Sequence, residues 1–69
     1  MYRQAVDSSA VRSVCYDRRR RVLEVEVDGG TVYQYLDVLA REYFALVGAD
    51  SVGRYHNQQI KENYEFREV

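Results

Sequence analysis

The run Val22-Leu23-Glu24-Val25-Glu26-Val27, closed by Asp28-Gly29-Gly30, leaves the chain little choice of local structure. Side chains alternate across a strand with a period of two, so Leu23, Val25 and Val27 share one face and Glu24 and Glu26 the other. Two successive glycines supply the positive-φ positions of a tight hairpin, and Thr31 to Leu36 reads as the returning strand. Register then decides which side Tyr33 and Tyr35 occupy, because a slip of one residue exchanges the faces. A three-residue loop at 28–30, with Gly30 as a bulge, pairs Val27 with Thr31, Val25 with Tyr33 and Leu23 with Tyr35. The five apolar residues then face inward, while Glu24, Glu26 and Gln34 meet water. A two-residue turn at Gly29-Gly30 instead buries Gln34 without an evident partner, at a cost of about 1–3 kcal/mol, so the longer loop is expected.

Val11 to Tyr16 has strand character with imperfect alternation, and Asp17 to Arg20 forms a charged turn ahead of the clear strand. Beyond the hairpin, Asp37 is a fair N-cap for a helix over Val38 to Val47, with Leu39, Tyr43, Leu46 and Val47 on its apolar face and Gly48 as its stop. Ser51 can cap a second, shorter helix that turns Val52, Tyr55, Gln59 and Ile60 to one side. The tail Tyr64 to Val69 alternates apolar and charged residues, and either adds a short edge strand or lies against the core. The expected fold is one α+β domain over residues 1–69, a three-stranded antiparallel meander packed on one face by two short helices.

Composition narrows the function classes. Ten Lys and Arg against eleven Asp and Glu give a net charge of −1, which removes the simplest argument for a nucleic-acid binder while leaving room for a local basic patch. No apolar run approaches the roughly 18 residues of a membrane-spanning helix, and the N-terminus carries no secretory leader pattern. A lone cysteine, Cys15, forms no internal disulfide, so the chain reads as cytoplasmic. One Cys and one His, His56, do not make a structural zinc site, and neither metal nor cofactor is expected.

Val6-Asp7-Ser8-Ser9, Val14 with Tyr16-Asp17, Leu23 to Val27, Val32-Tyr33-Gln34-Tyr35, Ser51-Val52-Gly53-Arg54-Tyr55-His56-Asn57, Ile60 and Tyr64 follow one another in an order that resembles the KTSC domain. This short module is named for its occurrence at the C-terminus of some lysyl-tRNA synthetases and is also found as a stand-alone bacterial protein. The likeness runs from about Val6 to about Phe66. A proline usual near the start of the first helix is missing, and Cys15 stands where a small residue, often glycine, is usual. The synthetase association implies RNA binding as a role.

Four candidate features follow from the residues. Arg18-Arg19-Arg20-Arg21 can make bidentate phosphate contacts from a hairpin, against the plain reading of a solvated turn. Tyr33 and Tyr35 form either a base-stacking platform or, as the preferred register has it, part of the core. Ser51 to Asn57 reads in two ways: Gly53 and the helix start as an approach for an anion, or Ser51 capping, Tyr55 buried and Asn57 bonding a loop. Tyr64 joins these as a structural residue shared with the family pattern. His56 has no evident orienting carboxylate and Cys15 no fixed basic neighbour, so no catalytic residue is assigned. The expectation is a small non-catalytic module binding RNA or another polyanion through Arg18 to Arg21, Arg54 and Lys61. The alternative is a protein-interaction module with no nucleic-acid role.

Overall fold

The computed structural model describes the backbone of residues 3–5 and residues 10–69. The Val6-Asp7-Ser8-Ser9 motif lies outside the described residues. Among the described residues, five strands form one antiparallel sheet in sequence order, β1 (Arg3–Ala5), β2 (Val11–Asp17), β3 (Val22–Val27), β4 (Val32–Tyr35) and β5 (Phe66–Glu68). Helices α1 (Ala40–Val47) and α2 (Val52–Tyr55), with a π-helical turn over His56–Ile60, are inserted between β4 and β5. The class is α+β, as expected. The sheet is wider than the meander alone: β1 adds a strand beside β2, and the tail does become an edge strand, pairing Tyr35 with Phe66 and Tyr33 with Glu68.

The hairpin adopts the longer loop. Leu23 pairs with Tyr35 and Val25 with Tyr33, and Val27 N donates to Thr31 O at 2.9 Å. Gly29 and Gly30 have φ of 95° and 91°, conformations an L side chain resists. The uneven pattern of β2 has a similar cause. A register shift between Val11 and Ser13 makes Arg12 the extra residue of a β-bulge. Val11 and Val14, three apart, therefore both reach the interior, and each has no exposed surface.

Those valines join Leu23, Val25, Tyr35, Val38, Leu46, Val52 and Ile60 in a single core between the sheet and the helical segment. Tyr16 stacks on Tyr43 with ring centroids 5.4 Å apart, which ties β2 to α1. On the other face of the sheet, Gln34 does not simply meet water. It donates to Glu24 at 3.0 Å and accepts from Arg67 at 2.8 Å, forming a ladder across β3, β4 and β5.

The first helix starts later than expected, and Asp37 does not cap it. Asp37 has φ of 57°, a left-handed conformation that Asp tolerates better than most residues, and its carboxylate sits 3.9 Å from Arg21. Val38 N is held by Arg21 O at 2.8 Å, while Tyr16 donates to Val38 O. Those contacts hold residues 37 and 38 outside the helix, so Val38 enters the core ahead of α1. Leu39, the N-cap residue, is 41% exposed and makes no side-chain cap. Gly48 ends α1 as expected, though with a right-handed backbone.

The second helical segment also buries a different set of side chains. Ser51 does cap α2, accepting from Arg54 N at 3.2 Å. Past Tyr55 the turn widens, and Lys61 N donates to His56 O five residues back. The wider turn keeps positions four apart in line against the sheet, so Val52, His56 and Ile60 are buried and Gln59 is exposed. No described helix is long and apolar enough to cross a membrane.

Deleting buried methyl groups from Leu23 tests the predicted centre of this core. Leu23→Ala should cost about 2–5 kcal/mol, comparable to the whole stability of a domain this small, and a urea titration should show the variant largely unfolded at room temperature.

Candidate polyanion groove

Burial, bonding and charge converge where the π turn meets the far end of the hairpin. His56 is only 7% exposed, and its Nε2 shares a 2.7 Å hydrogen bond with the Tyr35 hydroxyl, so a side chain from the middle of the sheet anchors the turn. Burial, reinforced by nearby Lys61, pushes the His56 pKa below its ordinary 6.5. Burial also raises the Tyr35 hydroxyl to about 12, with Tyr33 adding to the shift. Both groups are therefore neutral near pH 7, which suits a buried bond between uncharged partners.

A second bonded cluster holds the helical segment together. Glu42 of α1 accepts from Tyr55 at 2.5 Å and from Tyr64 at 2.9 Å. Burial and the bond to Glu42 lift Tyr64 to about 12, while the bond to Glu42 is the main cause of the rise at Tyr55. Tyr55 and Tyr64 thus both bond to α1 through Glu42, a partner that was not singled out from sequence.

Between the π turn and the sheet lies an open groove of about 620 Å³. Ala10, Val27 and Tyr33 form its sheet side. Gly53, Arg54, His56, Asn57, Gln58 and Lys61 form the helical side. Among the described residues lining it, two are cations and none is a carboxylate. Arg54, Asn57, Gln58 and Lys61 are exposed, which leaves their polar ends open to a ligand. Ala10 follows the Val6-Asp7-Ser8-Ser9 motif directly in sequence.

The structure separates the two halves of the expected basic site. Arg54 and Lys61 share the groove, whereas Arg18 to Arg21 occupy the β2–β3 turn. That turn precedes Val22, while the groove touches Val27 at the opposite end of β3. Six residues of strand put the two regions on the order of 17 Å apart. The turn is also internally satisfied in part. Asp17 accepts from the backbone N–H groups of Arg19 and Arg20 and lies 3.9 Å from the Arg20 side chain, and Arg21 faces Asp37. Arg67, not expected at a site, lines a small outer-face cleft beside Arg20 and Asp17.

Tyr33 and Tyr35 part company as well. Tyr35 is 2% exposed and belongs to the core, as the register argument required. Tyr33 is half-buried and borders the groove. The helices are too short to cover the sheet as far as position 33. Gln58 was missed because nothing in its local sequence marks it. His56 was legible in principle, since Val52, His56 and Ile60 recur at intervals of four.

A KTSC domain model matches residues 7–64. The chain belongs to the KTSC domain family. This KTSC domain is 44% identical over 61 residues to an uncharacterized protein of Stutzerimonas stutzeri strain A1501, covering 88% of this chain and 86% of that one. It is 29% identical over 63 residues to the lysine–tRNA ligase of Nostoc punctiforme, covering 91% of this chain but 11% of the ligase. The crystal structure of a KTSC domain protein from Yersinia pestis superposes with a TM-score of 0.92 at 36% identity, over 99% of this chain and 96% of that one. Of the residues that carried the family likeness in sequence, Val27, Tyr33, Gly53, Arg54, His56 and Asn57 line the groove, beside Ala10, Gln58 and Lys61 from outside those motifs.

Two pH effects follow. A His whose folded pKa lies below 6.5 contributes stability above that pH and loses it as pH falls through the folded value. His56→Gln should therefore flatten the part of the acid unfolding curve that begins below about pH 6.5, measured by circular dichroism. Tyrosines raised to about 12 contribute stability that is complete below pH 10 and lost as pH climbs toward 12. Alkaline unfolding should be steep across that interval, and Tyr64→Phe should shallow it.

Proposed function

We propose that this KTSC domain is a small non-catalytic cytoplasmic module that binds RNA or a similar polyanion through the Arg54–Lys61 groove. The observation that carries this reading is the groove itself, a concave surface where two cations and two exposed side-chain amides converge with no carboxylate among its described lining residues. Cations lining a cleft focus the field on a phosphate and attract it more strongly than the same charges on a convex turn. A π-helical turn builds one wall, and such turns are rare and concentrate at functional sites. A relative that is itself a lysine–tRNA ligase supports RNA as the polyanion. His56 and Tyr35 are absorbed by their mutual bond, which supports binding without catalysis. The Arg18 to Arg21 turn plays a lesser part, because two of its arginines already face carboxylates.

Fluorescence anisotropy with labelled single-stranded RNA, repeated across a salt series, checks the proposal. Affinity should fall as salt rises, and Arg54→Gln with Lys61→Gln should reduce the logarithmic slope by about 1.4, roughly 0.7 for each lost phosphate contact. Arg18→Ser with Arg19→Ser should reduce it by less. Absence of RNA binding at low salt, with protein partners that survive nuclease treatment of a lysate, would replace this reading by a protein-interaction role.

A further inference from the structure

The polyanion reading leaves one wall of the groove without a task. Arg54 and Lys61 account for charge, but Tyr33 brings an aromatic ring to the same space, and Asn57 and Gln58 bring two amides able both to donate and to accept. We infer, resting on that reading, that the groove takes one unpaired nucleotide, its base against Tyr33 and its phosphates on Arg54 and Lys61. Three observations carry this. First, Tyr33 is held as a platform: Phe66 meets it edge-on with centroids 5.6 Å apart and planes at 84°, and Tyr35 lies tilted at 6.5 Å. A ring fixed from two sides loses little further freedom when a base stacks on it. Second, Tyr33 is only half-buried although it shares a sheet face with fully buried Leu23 and Val25. It is the inward-facing aromatic that the helical layer leaves uncovered at the groove. Third, the open groove, at about 620 Å³, is of the size of small-ligand sites. A duplex presents its backbone and keeps its bases stacked, so it engages the cations and not the ring.

The ligand class is therefore single-stranded RNA, distinguished from duplex and from inorganic polyphosphate by the base. Stacking on one aromatic ring is worth about ten-fold in affinity, and amides at 57 and 58 can add a preference among bases. The experiment compares three probes on the full chain: a single-stranded oligonucleotide of about eight residues, the same strand annealed to its complement, and polyphosphate. Single strand should bind about ten-fold more tightly than duplex. Tyr33→Leu should weaken the single strand by about ten-fold and leave polyphosphate within roughly two-fold, and Tyr33→Phe should retain both affinities. Should Tyr33→Leu not fold, the wild-type Tyr33 ring resonances decide, moving upfield with single strand but not with polyphosphate. Equal affinity for single strand and duplex overturns the inference, as does a Tyr33→Leu variant that affects all probes alike or none, or a Tyr33 ring that does not respond. If Arg54→Gln with Lys61→Gln still weakens all three probes in that case, the polyanion reading stands alone; if it weakens none, that reading fails too.

Discussion

The three-residue loop at Asp28–Gly30 sets the pairing of Leu23 with Tyr35, and the remaining structure depends on that register. One residue of slip would turn Tyr35 to the outer face and Gln34 into the core. In the register adopted, the Tyr35 ring fills the centre of the interior while its hydroxyl reaches His56, so a single side chain serves both packing and polar anchoring. The chain tolerates this only because Gly29 and Gly30 accept the positive φ that the loop demands.

From that anchor the helical segment acquires its shape. His56 is drawn inward, the turn after Tyr55 widens to place His56 and Ile60 against the sheet together, and Asn57, Gln58 and Lys61 are left along an exposed rim. The Glu42 carboxylate, shared by Tyr55 and Tyr64, fixes the opposite side of the same segment. Polar side chains thus do in this small domain what a larger one assigns to additional apolar area, since a small domain buries a lower fraction of its surface than a large one. The groove is a by-product of the same economy. Two short helical pieces cannot roof the described strands, and the uncovered end, at Val27 and Tyr33, is where Arg54 and Lys61, one on either side of the π turn, converge.

How charge is distributed matters more here than how much there is. A net charge of −1 conceals a groove with two cations and, among its described lining residues, no acid, and also a run of four arginines whose turn carries its own counter-charges. The densest cluster in the sequence is thus the more neutralised one in space. Arg54 and Lys61, seven residues apart, become neighbours of one cavity because a helical segment returns their side chains to the same flank.

The β3–β4 hairpin, its register, the α+β class and the capping by Ser51 were legible from sequence because each rests on residues adjacent in the chain: strict alternation, paired glycines, a hydroxyl three residues ahead of an amide. The KTSC likeness was legible from the order of its motifs. Other features depended on contacts between distant segments. Asp37 looked like a cap until bonds to Arg21 and Tyr16 held Val38 outside the helix, Leu39 lost its place in the core to Val38, and the imperfect β2 pattern became regular only through a bulge against β3. The partnership of Tyr35 with His56, and the wide turn that permits it, join residues 21 positions apart, and no local preference encodes them. Local sequence determined the strands, turns and faces; tertiary packing decided which polar groups were buried together and which were left around an open groove.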